Sequence, residues 1–147
     1  MIIPRSLFVS LIGSALIVVS VFLPWISTTF SIPDMGTYTV SVSGIEYNLG
    51  QLILLIGVAS IGILFVNQKG FRVKFGLLLA VINLFVIIYF GLRIMFWFPY
   101  PVEMIQSIQF GFYIVIIGTL TLIAGKVVEH MTKVEKEIKP QGVSSSV

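Results

Sequence analysis

The chain has 147 residues, 57% of them hydrophobic and 10% charged, with a formal net charge of +3 and no cysteine. Soluble domains carry about a quarter charged residues, so a water-solvated globule is disfavoured and a lipid bilayer is the expected solvent. The missing cysteines exclude disulfides, thiolate metal sites and thiol redox chemistry, and so small an excess of positive charge is no nucleic-acid signature.

About 20 apolar residues in helical conformation cross the hydrocarbon core, and helices are required because lipid offers the backbone no hydrogen-bond partners. Four segments meet that length. The sequence therefore predicts an all-α integral membrane protein, a four-helix transmembrane bundle over residues 1–128 with helices at about 6–25, 49–66, 74–94 and 102–128. The first begins like a signal peptide, with Arg5 ahead of an apolar run, but the run continues to Ile26 and no small-x-small cleavage site follows. It is expected to stay in place as a helix. Pro24 suits its last turn, and Trp25 suits the headgroup level.

The larger outer loop, residues 26–48, changes character. Tyr38, Val40 and Val42 alternate with Thr37, Thr39, Ser41 and Ser43, and Pro33-Asp34-Met35-Gly36 supplies turn chemistry. Two strands, 26–32 and 37–43, are predicted to form a small β-hairpin. A lone hairpin is marginal in water, so the Tyr38, Val40, Val42 face is its expected contact face. Asn48 followed by Gln51 reads as a capping box for the second helix.

Lys69, Arg72 and Lys74 separate the second and third helices. The short outer loop, residues 95–101, follows the third. Pro101 and Glu103 then suit the start of the fourth helix. Beyond it, Val127, Met131, Val134 and Ile138 recur at helical spacing, and Glu129–Lys133 and Glu135–Lys139 are favourable i,i+4 pairs. Residues 129–139 thus form an amphipathic extension, able to bind a partner or lie along a leaflet, before a disordered tail, 140–147. Eight of the nine basic residues (all but Arg93) lie before the first helix, between the second helix and the start of the third, or at and beyond the end of the fourth. The positive-inside rule then puts both termini in the cytoplasm, with the plasma membrane as the expected location.

Helix four carries Gly111, Gly118 and Gly125 seven residues apart, with Ile114 and Thr121 on the same face, and helix three carries Gly76, Ala80, Asn83, Ile87 and Gly91. Small residues let helix backbones approach in lipid, so these are packing or interface faces, expected to meet each other or Ser10, Gly13 and Ser14 of helix one. Asn83, polar in mid-span, is expected to be a hydrogen-bonding link between helices. Arg93 belongs at the outer interface, free to reach headgroups or pair with Glu103. His130, the only histidine, reads as a solvated helix position.

Neither a haem ligand pair nor a metal cluster can be assembled from one histidine. No Asp or Glu interrupts the apolar runs, and there is no phosphate loop or nucleophile elbow. Catalytic residues, cofactors and metals are therefore not expected.

In layout the chain resembles claudin-like tetraspans: termini inside, a β-prone first outer loop with Trp25 near its start, and a shorter second outer loop. Of that family's W-GLW-C-C signature only Trp25 has a counterpart here. The likeness implies a fold-level tetraspan arrangement and no particular activity. The function expected is that of a non-catalytic accessory or structural subunit, assembling with itself or with other membrane proteins. The alternative is a transporter or channel component acting as an oligomer.

Overall fold

The structure, a computed structural model, describes residues 4–32, 34, 36–96 and 104–138. The expectations for Pro101, Glu103, Lys139 and the tail lie outside the described residues, as do the side chains of Lys133, Val134, Glu135 and Ile138.

The chain is mostly helical, with four α-helices and a small sheet. The elements run α1 (Arg5–Ser20), β1 (Pro24–Ile32), β2 (Gly36–Ser43), a single 3-10 turn (Gly44–Glu46), α2 (Asn48–Leu64), α3 (Lys69–Phe96), β3 (Met104–Ile108) and α4 (Phe110–Ile138). Each helix packs on the next in the chain, and α4 returns against α1, its most extensive neighbour. The sheet lies where α1 ends and α2 and α4 begin; the α2–α3 connection marks the opposite end. Two helical segments, Lys69–Ile94 and Phe110–Thr132, are long and apolar enough to cross a membrane.

Several boundaries differ from those read in the sequence. α1 stops at Ser20, because Val21 to Leu23 tighten into a turn closed by Phe22 N–H to Val19 O and Leu23 N–H to Ser20 O, both 3.1 Å. Pro24 then opens β1. Pro lacks the amide that another helical turn requires, whereas the first residue of a strand can dispense with it. α3 begins five residues earlier than expected, at Lys69. α4 begins eight residues later, at Phe110, and runs unbroken through the extension to Ile138.

The stretch expected to start helix four is instead β3. It pairs antiparallel with β1, so the predicted two-stranded hairpin is part of a three-stranded sheet of order β2–β1–β3. Phe30 pairs with Tyr38, Thr28 with Val40 and Ile26 with Val42 on one face, and Ser27, Thr29 and Ser31 oppose Ser41, Thr39 and Thr37 on the other. Asp34 at φ 65° and Gly36 at φ 93° turn the chain between β1 and β2, the left-handed region that Gly and, among other residues, Asp and Asn tolerate best.

The capping box also sits elsewhere. Ser43 and Glu46 form it around the 3-10 turn, with Ser43 N–H and Oγ–H both donating to Glu46 Oε1 at 3.2 and 2.7 Å. α2 is entered without a side-chain cap, and Gln51 Nε2 donates to Ile45 O instead.

Candidate functional site

The core divides into two ends of different chemistry. At the sheet end it is aromatic. Trp25 is fully buried in the core. Its ring meets Phe90 and Phe112 edge-on, with centroids 5.3 and 5.8 Å apart, and Tyr47 packs on Phe90 at 5.1 Å. The indole N–H donates to Ser20 O at 2.7 Å, so the one polar atom of the ring is satisfied in an apolar place. Gly44 and Gly111 supply the room: a β-carbon on either would collide with the indole ring.

Away from the sheet the interior becomes polar. Ser10 and Ser14 are buried, their hydroxyls donating to carbonyls one turn back at 3.0 Å. Asn83 Nδ2 donates to Thr119 Oγ1 at 2.7 Å, and Thr119 in turn donates to Val115 O at 2.7 Å. The Oδ1 of Asn83 and the Oγ of Ser60, both buried, have no protein partner.

Near the α2–α3 end lies a buried ionic cluster. Glu129 accepts from Arg72 Nε at 2.8 Å and Nη2 at 2.5 Å on one oxygen, and from Lys126 Nζ at 3.2 Å on the other. Arg72 also reaches Val66 O through Nη1 at 3.4 Å. The sequence reads Glu129 as an i,i+4 partner of Lys133, whose side chain lies outside the described residues. Glu129 is enclosed between α3 and α4 by Arg72, and Gly76 leaves space for the Lys126 stem beside it. No cluster of three or more potential metal ligands occurs among the described residues.

The two small-residue faces do not meet each other. Gly118 and Gly125 of α4 meet α1: a β-carbon on Gly13 would come within 2.5 Å of Leu122 N, and one on Gly125 within 2.5 Å of Ser10 Oγ. Gly111 packs beneath Pro24 and Trp25. The α3 face of Gly76, Ala80 and Asn83 meets a second stripe of α4 that includes Thr119 and Lys126. Sequence periodicity missed that stripe because it mixes apolar, hydroxyl and charged residues.

On the sheet, Ser27 and Ser107 bond at 2.7 Å across β1 and β3, Gln109 Nε2 donates to Ser27 Oγ at 2.6 Å, and Thr29–Thr39 and Ser31–Thr37 continue the hydroxyl row. The opposite face, with Tyr38, Val40 and Ile108, is exposed, and Val42 is half-buried. Arg93 is exposed at the end of α3, and its proposed partner Glu103 lies outside the described residues. His130, Val127 and Met131 are exposed on α4.

No family model matches the chain, and no curated protein is significantly similar to it.

Proposed function

We propose that the chain is a non-catalytic tetraspan of the cell membrane that works by assembly, as an accessory or structural subunit of a homo-oligomer or of a larger membrane complex. The observation that carries this reading is the inverted polarity of its surface. All four helices turn large apolar side chains outward, among them Phe8 and Val19 of α1, Leu55 and Val58 of α2, Phe85 of α3 and Ile117 of α4. Ser10, Ser14, Ser20, Ser60, Asn83 and Thr119 are packed inside. Water would select the reverse, whereas lipid favours this arrangement.

α1 and α2 are short, at 16 and 17 residues. They extend into further turns closed by Leu23 N–H to Ser20 O and Val66 N–H to Ile63 O, which brings each close to the ~30 Å of a hydrocarbon core. In this reading the termini are cytoplasmic and the sheet is outside. Its exposed Tyr38, Val40 and Ile108 face supplies the assembly surface, since such a face in water favours a covering partner.

The test is purification in mild detergent, with mass spectrometry of what accompanies the protein and size analysis of the particle. A stoichiometric set of membrane proteins, or a defined homo-oligomer, is expected; a lone monomer both in detergent and after cross-linking in native membranes overturns the proposal. The second reading, a transporter or channel component, draws on the buried unpartnered Oδ1 of Asn83 and Oγ of Ser60. Solute flux into proteoliposomes that is lost in Asn83→Leu would favour it.

A further inference from the structure

The outer edge of β2 is open. In the order β2–β1–β3 it is an edge strand, and among the described residues no element pairs with its free side. Alternate residues of an antiparallel strand turn N–H and C=O away from the neighbour already paired. The eight residues Gly36–Ser43 therefore present an unused ladder of donors and acceptors, and the first six of them are exposed.

Natural edge strands are blunted by Lys, Pro, a bulge or an inward charge. β2 has none of these. Gly-Thr-Tyr-Thr-Val-Ser-Val-Ser carries no charge and no proline, and the one register shift against β1 lies at Pro24/Ile26, where the strands meet the bundle. The nearest charged residues in sequence, Asp34 and Glu46, fall beyond its ends. From Val42 to Gly36 the pairing with β1 is regular, and the Thr29–Thr39 and Ser31–Thr37 hydroxyl bonds hold it to the tip. The edge is thus neutral, regular and preformed, and what it can accept is an extended strand.

The strand that matches it is its own copy. When two copies of one strand pair antiparallel about a two-fold axis, the same patch serves both sides, and the numbers of opposed residues have a constant sum. An even sum sets outward backbone groups against outward backbone groups. It also sets Thr and Ser against Thr and Ser, and Tyr and Val against Tyr and Val, because opposed residues share a face. An odd sum fails on both counts. Centring on Thr39 gives the longest even overlap that stops short of Ser43, which is engaged in capping the 3-10 turn.

We propose that β2 pairs antiparallel with β2 of a second copy, Thr39 opposite Thr39, Tyr38 opposite Val40 and Thr37 opposite Ser41. The two three-stranded sheets become one, and their exposed apolar faces, each with Tyr38 and Val40, join into a single face. This rests on the assembly reading above and names its partner and its contact.

The chain has no cysteine, so one introduced thiol reports one position. Single-cysteine variants of the full-length protein are treated with a short thiol cross-linker in membranes and in mild detergent. Thr39→Cys is expected to yield a covalent dimer. Thr37→Cys and Ser41→Cys should each yield little alone, and a dimer when the two are coexpressed with different tags, since the register sets one against the other. Ile108→Cys, exposed on the opposite edge strand, should yield none. Thr39→Lys, which sets two ammonium groups against each other, should separate the copies in size analysis.

No dimer through Thr39→Cys overturns the pairing. So does a stronger dimer through Ile108→Cys than through Thr39→Cys, which reports packing of the apolar face, and so does an assembly that Thr39→Lys leaves intact. In each of these cases a defined oligomer, or a stoichiometric set of other membrane proteins, still upholds the assembly reading. A lone monomer in both settings overturns the two together.

Discussion

The two ends of the bundle are held by opposite means. At the sheet end, Trp25 fits among Phe90, Phe112, Gly44 and Gly111, and the fit depends on shape. At the α2–α3 end, Arg72, Lys126 and Glu129 are held by charge, and stability there depends on which partners remain. The difference teaches where the chain tolerates change. A packed aromatic core loses free energy with every atom removed. A buried ion cluster can be replaced whole by apolar residues at little cost, yet loses much when one member is deleted.

The largest effect is expected at the sheet end. Trp25→Ala removes a fully buried ring and the bond to Ser20 O, and should destabilise by about 3–5 kcal/mol, read from denaturant unfolding in mild detergent. Trp25→Phe should recover most of that loss. If both substitutions cost the same, the indole hydrogen bond rather than ring packing holds this end.

At the other end, Glu129→Gln leaves Lys126 and Arg72 facing one another without a carboxylate, at a cost of about 3 kcal/mol or more. The comparison sharpens with the triple variant Arg72→Met, Lys126→Met, Glu129→Leu, which should unfold close to wild type. Failure of the triple variant to recover would mean that the ions position α3 on α4 and do more than balance each other.

Between the ends, Gly118→Val drives a branched side chain into the backbone of α1, since even a β-carbon would meet Gly13 O and Ile17 N at 3.0 Å. A loss of about 1–3 kcal/mol is expected, accompanied by weaker α1–α4 cross-linking between introduced cysteines. The smallest effect belongs to Asn83→Leu, at about 0.6–2 kcal/mol. It removes the bond to Thr119 but also a buried carbonyl oxygen that has no protein partner. A larger loss would show that the orphan oxygen is satisfied by something outside the chain.

The helices were legible because a long apolar run has few alternatives. The β1–β2 pair was legible because Tyr38, Val40 and Val42 alternate with hydroxyl residues and Gly36 closes a turn. β3 was not. Met-Ile-Gln-Ser-Ile is short, lies directly before an apolar helix, and becomes a strand only by pairing with β1, as the Ser27–Ser107 bond across 80 residues illustrates. The burial of Trp25 was not legible, because no local signal reveals that Gly44 and Gly111 converge on it. Nor was the burial of Glu129. Beside Lys133 it reads as half of an i,i+4 pair, and only the approach of Arg72, 57 residues away, encloses it.

The sequence by itself determined the number of helices, their approximate extent and the presence of strands between the first two. Those properties follow from local composition and period, because backbone groups in an apolar setting must be paired within the segment or with an adjacent strand. Only the tertiary structure decided that a third strand exists, that Gly118 and Gly125 serve α1 while a mixed stripe serves α3, that Trp25 is interior, and that three charges share one buried site. These depend on which face of each helix meets which neighbour, and that choice is made by long-range packing that no short stretch of the chain contains.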